Sequence, residues 1–79
     1  MHNLSLTISS VSTVLFSGDV VSVTLPGITG ELTVLAQHEP LITVLKEGTI
    51  TVRTKEGEER FEIEKGILEV SGKEAVVLL

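Results

Sequence analysis

Apolar and polar residues alternate with a period of two over short spans along most of the chain. Leu4, Leu6 and Ile8 share one parity, while Ser5 and Thr7 occupy the other. This period is typical of a β-strand that has one buried and one solvated face. Turn-forming residues end each span after about eight to ten residues, which is the spacing of β-sandwiches and barrels. The pattern therefore predicts short strands throughout and no helix.

The positions of the apolar runs predict about eight to ten strands. The runs cover residues 4–8, 14–16, 20–25, 32–35, 41–45, 50–53, 61–63, 67–70 and 75–79. Ser17-Gly18-Asp19 and Pro26-Gly27 are predicted turns between them. Proline presets the dihedral angle of the second turn position, and glycine supplies the positive φ of the third. Residues 50–63 predict a hairpin that turns at 55–58.

The last run, residues 75–79, is apolar on both parities. A strand of that kind is unsuited to a free sheet edge, so we expect both of its sides to be covered. The chain has 79 residues and no linker, which predicts one all-β domain over residues 1–79. Sandwich and small closed barrel fit the pattern equally, because inward and outward positions alternate in both.

The composition excludes several classes of function but does not identify one. The chain contains no cysteine, so a disulfide framework and a thiolate metal site are excluded, and an intracellular setting is favoured. The net charge of −5 lacks the basic footprint of nucleic-acid or anionic-lipid binding. No run approaches the roughly 18 apolar residues that span a bilayer. A soluble acidic domain that binds no nucleic acid is expected.

Candidate catalytic chemistry is sparse. The residue types of a nucleophilic triad exist as Ser10 or Ser17, His38 and Asp19. A triad is defined by geometry rather than by composition, and Asp19 occupies a predicted turn where aspartate commonly bonds its own backbone. A small hydrolase that uses His38 stays open as an alternative, although the sequence favours a chain that is not an enzyme.

Candidate ligand sites are equally sparse. Glu31, His38 and Glu39 lie near one another in sequence and could contribute to a metal site, but a loop histidine without that role is more common. Residues 27–31 contain two glycines, yet they lack the Lys-Ser/Thr tail and the following helix of a phosphate-binding loop. No cofactor or metal is therefore predicted.

An ordered series of short motifs extends over nearly the whole chain. The motifs are Phe16-Ser17-Gly18-Asp19-Val20, Pro26-Gly27, Gly30-Glu31-Leu32, His38-Glu39-Pro40-Leu41, Leu45-Lys46-Glu47-Gly48, Gly66-Ile67-Leu68-Glu69-Val70 and Ala75-Val76-Val77-Leu78. Together they resemble the ε subunit of bacterial F-type ATP synthases. Each is weak alone, whereas their common order and spacing are specific. Three positions depart from the family pattern, because Thr33, Ala36 and Lys65 stand where glycine, proline and glycine are usual.

This resemblance implies a ten-stranded β-sandwich of two five-stranded sheets. It also implies a non-catalytic subunit of a proton-translocating ATP synthase that sits in the central stalk between the γ subunit and the c-ring and couples rotation by contact. The implied c-ring contacts are Thr29, Gly30 and Glu31, and the implied γ-subunit contacts are Ser10, His38, Leu41 and Thr43. The implied location is peripheral, on the cytoplasmic side of the bacterial inner membrane, with the membrane reached only through the complex.

Family members usually continue into a pair of C-terminal helices, and this sequence stops at Leu79. In the family those helices inhibit ATP hydrolysis and in some members bind ATP, so we expect this chain to lack both properties. An alternative to the stalk subunit is an unrelated β-sandwich adaptor that self-associates through its apolar last strand, residues 75–79.

Overall fold

A computed structural model describes residues 3–37 and 39–79 of the chain, and all regular structure in those residues is β. The strands are β1 (Leu4–Ser9), β2 (Val14–Val20), β3 (Ser22–Gly27), β4 (Gly30–Leu35), β5 (Leu41–Leu45), β6 (Gly48–Thr54), β7 (Gly57–Ile63), β8 (Gly66–Ser71) and β9 (Glu74–Leu78). The all-β prediction is confirmed. The described residues form nine strands, one fewer than the ten that the resemblance implied.

The strands are hydrogen-bonded in the order β2-β1-β9-β8-β5-β3-β6-β7, and β4 pairs with β3 beside this path. β5 and β3 share the single pair Gly27 and Leu45, so the sheet folds over at that point. One layer contains β2, β1, β9, β8 and β5, and we call it the five-strand layer. The other contains β4, β3, β6 and β7, and we call it the four-strand layer.

At two points, between β5 and β6 and between β7 and β8, the chain passes from one layer to the other without reversing its direction. β5 and β6 run in the same direction, because both are antiparallel to β3. β7 and β8 likewise share a direction, since they are antiparallel to β6 and β5. Residues 41–71 thus form one long, bent hairpin that turns at Lys55 and Glu56. This connection curls the sheet into a sandwich.

The core lies between the two layers and is built from inward-facing residues of all nine strands. Its residues are Leu4, Leu6, Ile8, Val20, Val23, Leu25, Val34, Leu45, Ile50, Val52, Ile63, Leu68, Val70, Ala75 and Val77. Among the described residues, no polar or charged side chain is buried with them. Burial of this aliphatic surface is the main favourable term in folding. The alternation in the sequence predicts this core because strand side chains alternate between faces.

Two predicted turns are strand residues instead. Ser17, Gly18 and Asp19 continue β2. Pro26 and Gly27 continue β3, and the chain reverses two residues later, at Ile28 and Thr29. Pro26 O points away from β4, since it accepts a hydrogen bond from Lys46 N at 2.9 Å. The proline nitrogen faces the same side. Proline is tolerated at this position because its missing N–H therefore removes no hydrogen bond of the β3–β4 ladder.

The last strand is covered along both edges, as predicted. β9 lies between β1, which is parallel to it, and β8, which is antiparallel. It therefore has no free edge through which a second copy could pair. Thr33, a departure from the family pattern, lies in β4 opposite Thr24, in extended backbone that a side chain tolerates.

Candidate docking surfaces

The outward face of the five-strand layer carries a row of aliphatic side chains that runs across the strands. Val44 is opposite Ile67, Ile67 is opposite Leu78, and Leu78 is followed across the ladder by Ser9 and Val14. The four apolar members, Val44, Ile67, Leu78 and Val14, are between 48% and 61% exposed. We call these four residues the aliphatic band.

The band arises because β5 and β9 are apolar on both parities. In β5, Leu45 is buried while Ile42 and Val44 point outward. In β9, Ala75 and Val77 face the core while Leu78 is exposed. Scattered exposed aliphatic residues are ordinary, but a contiguous apolar patch on a soluble domain usually marks an interaction surface.

Apart from Pro26 and Leu35, the outward face of the four-strand layer is polar, and several of its side chains bond to one another. The hydroxyls of Thr24 and Thr33 are 3.0 Å apart, and Thr49 Oγ1 donates to Glu62 Oε2 at 2.6 Å. Arg53 pairs with a carboxylate of the neighbouring strand at 3.4 Å. Such a face meets its hydrogen-bonding needs within the chain or from water. The two outward faces therefore differ, and only the five-strand layer presents a contiguous aliphatic surface among the described residues.

The predicted c-ring contacts lie at the tip of the β3–β4 hairpin. Thr29, Gly30 and Glu31 are all exposed. Ile28 N donates to Val44 O at 3.0 Å, which holds this tip beside β5. Gly30 adopts a φ of 142°, in the region that favours glycine.

The hairpin tip and β5 border an open cleft of about 220 Å³. It is lined by Gly27, Thr29, Gly30, Glu31, Leu32, Leu41 and Thr43. The structure thus brings two of the predicted γ contacts, Leu41 and Thr43, next to the predicted c-ring contacts. Their parity directs them toward this cleft and the core side, opposite to that of Ile42 and Val44.

The remaining predicted γ contacts are separate from this cleft. Ser10 lies in the β1–β2 turn, where its N–H donates to Thr13 O at 2.8 Å. It follows Ser9, which continues the band's row, and β1 is three strand steps from β5, or about 14 Å at about 4.8 Å a step. His38 lies outside the described residues, and so do the triad and metal-site predictions that depend on it.

The described residues contain neither a cluster of metal-ligand side chains nor a membrane-spanning helix. Residues 3–37 and 39–79 contain no group of three or more His, Cys, Asp or Glu side chains that could hold a metal ion. Within the same ranges, no helix is long and apolar enough to cross a membrane. What the described surface offers is shape and apolar area for contact with another protein.

Comparison with known proteins decides the family. The model of the family described as ATP synthase, Delta/Epsilon chain, beta-sandwich domain matches residues 3–79. The chain belongs to this family. The ATP synthase epsilon chain of Sulfurimonas denitrificans is 40% identical over 80 residues, covering 100% of this chain and 62% of that protein. The sequence therefore spans less than two thirds of the length of this ε-chain relative.

Solved structures of the same fold come from mitochondrial ATP synthases. A chain in the cryo-EM structure of the Euglena gracilis enzyme, which contains OSCP, F1 and the c-ring, superimposes with a TM-score of 0.91 at 22% identity, covering 99% of this chain and 51% of that one. A chain in the Tetrahymena thermophila central stalk and c-ring structure gives 0.82 at 15%, covering 95% and 61%. At these identities the likeness establishes the shared sandwich fold.

The aliphatic band of this ε-family domain was missed in the sequence. The signal that could have found it is the apolar character of β5 and β9 on both parities. For residues 75–79 we interpreted that character as cover on both sides within the chain. A strand paired on both edges still has two faces, and a nine-stranded sandwich of this size covers only one of them. The second face of these strands stays exposed.

Proposed function

We propose that this chain is a non-catalytic subunit of the central stalk of a proton-translocating F-type ATP synthase. Its membership of the ε-chain β-sandwich family carries the proposal. The structural neighbours support it, because they come from ATP synthase complexes that contain F1, the central stalk and the c-ring. In this proposal residues 1–79 act as one sandwich domain that transmits rotation by contact, with no active site and no cofactor of its own.

The γ subunit is the proposed partner of the aliphatic band. The four side chains of the band keep about half of their surface exposed. Fully burying such a side chain contributes about 1.5–3 kcal/mol to stability. Covering the exposed half of all four would therefore contribute about 3–6 kcal/mol before the cost of association. Ser10 lies beside the row and fits this surface, whereas Leu41 and Thr43 are better placed for contacts through the cleft. The contact at His38 stays a prediction.

The c-ring is the proposed partner of the hairpin tip. Thr29, Gly30 and Glu31 protrude beside the cleft, and Glu31 gives the tip a negative charge. A rim carboxylate facing polar or basic loops acts mainly on specificity and docking rate. The corresponding location is peripheral, on the cytoplasmic side of the bacterial inner membrane. We expect no ATP binding by residues 1–79.

Binding of the full chain to purified γ subunit tests the proposal. Ile67→Glu places a charge in the centre of the aliphatic band, and we expect it to weaken γ binding at least about tenfold, since a charge is costly in an apolar interface. Thr33→Glu is the matched control, because Thr33 is also exposed and β-branched but lies on the outward face of the four-strand layer. The proposal fails if wild type does not bind γ at low salt.

A second measurement separates the two partners. Glu31→Lys should weaken γ binding less than Ile67→Glu does, because Glu31 lies outside the aliphatic band. It should slow the assembly of the chain with the c-ring, with an effect that shrinks as salt is added. Loss of γ binding in Glu31→Lys, with c-ring assembly unchanged, would mean that the two surfaces have been assigned to the wrong partners. Equal effects of Ile67→Glu and Thr33→Glu on γ binding would remove the band from the interface.

A further inference from the structure

The three sheet edges in the described residues differ in how they are protected. β2, β4 and β7 each pair with one neighbour. Glu58, Arg60 and Glu62 line β7, and a register shift near Ser9 distorts the pairing of β2. Charged residues and bulges are the usual defences against edge-to-edge pairing. β4 has no register shift with β3, and Glu31 is its one charged residue.

The hydrogen-bonding groups on the open side of β4 can be assigned from the ladder. Pro26 is opposite Glu31, and Pro26 O faces away from β4, where it accepts from Lys46 N. In an antiparallel pair, the backbone N–H and C=O groups of two opposed residues either both point toward the partner strand or both point away from it. The backbone N–H and C=O groups of Glu31 therefore face the open edge. By the two-residue period, those of Thr33 and Leu35 do so as well.

The side chains along this edge are self-complementary under a twofold axis. An antiparallel pair of two β4 strands centred on Thr33 places Thr33 opposite Thr33 of the second copy and Glu31 opposite Leu35. Threonine pairs across strands are favourable, and the arrangement opposes no like charges. It also uses the open N–H and C=O groups of Glu31, Thr33 and Leu35 on both copies.

We propose that a second copy of this chain pairs with it edge to edge through β4. The two four-strand layers then join into one continuous sheet across a twofold axis. The proposal does not depend on the proposed stalk function, because the β4 edge and the aliphatic band lie on different layers. Stable complexes bury at least about 1,200 Å² in total, more than one short edge supplies, so association is expected at about millimolar and not at micromolar concentration.

Thr33→Pro is the decisive variant. Its missing N–H is one that faces the open edge, and proline is accepted on edge strands in that orientation. Thr33→Val is the matched control, since it keeps the N–H and the β-branched shape. Sedimentation equilibrium up to about 1 mM should show dimers for wild type and Thr33→Val, with the apparent dissociation constant raised at least about tenfold in Thr33→Pro.

Amide chemical shifts locate the contact. Those of Glu31, Thr33 and Leu35 should move with concentration in wild type. Thr33→Lys adds a second route in case the proline variant unfolds, because it brings two lysines face to face across the axis and should also weaken association. A monomeric wild type at about 1 mM, undiminished dimers in both Thr33→Pro and Thr33→Lys, or shifts confined to the aliphatic band would each overturn the proposal.

Discussion

Gly27 is the position where a single added methyl group should do the most local damage. It ends β3, is buried, and pairs with Gly30 across the β3–β4 turn and with Leu45 of β5. A Cβ atom at Gly27 would lie 2.6 Å from the carbonyl oxygen of Gly30 and 2.7 Å from Cδ2 of Leu32. The leucine side chain can rotate, whereas the carbonyl moves only if the turn opens.

The magnitude follows from how far that carbonyl must retreat. Ordinary contacts of this kind are about 3.5 Å or longer, so the turn has to shift by roughly 0.8–1 Å. Overpacking of this size typically costs about 1–3 kcal/mol. A 79-residue domain has a total stability of about 4–12 kcal/mol at 0.05–0.15 kcal/mol per residue. Gly27→Ala should therefore remove a large share of it.

Urea unfolding followed by far-ultraviolet circular dichroism measures the effect, because the chain has no Trp or Tyr for fluorescence. If the free energy of unfolding falls by about 1 kcal/mol per molar urea, the unfolding midpoint of Gly27→Ala should lie about 1–3 M below that of wild type. Gly18→Ala is the control, since a Cβ there meets only the Phe16 ring, at 3.9 Å. We expect that variant to unfold within about 0.5 M of wild type, or slightly later. Equal midpoints for the two variants would refute the reasoning.

Three further outcomes are expected in the same assay. Leu68→Ala, at a fully buried core position, should cost about 2–5 kcal/mol, while Ile67→Ala on the outward face of the same strand should cost less than half as much; similar losses would contradict the assignment of faces. Arg53→Gln removes the 3.4 Å pair with Glu58, whose side chains are 63% and 38% exposed, and should change stability by no more than about 0.5 kcal/mol with or without salt. Gly72→Ala should cost about 1 kcal/mol, because φ is 62° in this turn and the space around it is open; no loss would mean that the turn relaxes.

Hydrophobic alternation was sufficient to predict most of the strands, because their inward residues are separated by two along the chain. The turns predicted from turn-forming residues at Ser17-Gly18-Asp19 and at Pro26-Gly27 were wrong, since both segments are strand. Both segments stay extended because neighbouring strands hold them, β1 in the first case and β4 with the β5–β6 segment in the second. Local preferences of turn residues are weak compared with a full ladder of hydrogen bonds.

The candidate docking surfaces were likewise predictable only in part. The resemblance pointed to Thr29, Gly30 and Glu31, and the hairpin presents these three together at an exposed tip. It could not indicate that Leu41 and Thr43 border the same cleft while Ser10 is three strands away. Proximity across a sheet depends on strand order, and the strand order pairs β1 with β9 and β5 with β8.

By itself, then, the sequence determined the β class, the inward parity of the core and, through its ordered motifs, the family. These depend on neighbours along the chain or on position in a pattern. The tertiary structure decided which outward-facing apolar residues stay exposed and which sheet edge stays open to pairing. The aliphatic band residues Val44, Ile67, Leu78 and Val14 are as apolar as the core residues beside them. They form a band only because pairing aligns them on a face that no other layer covers.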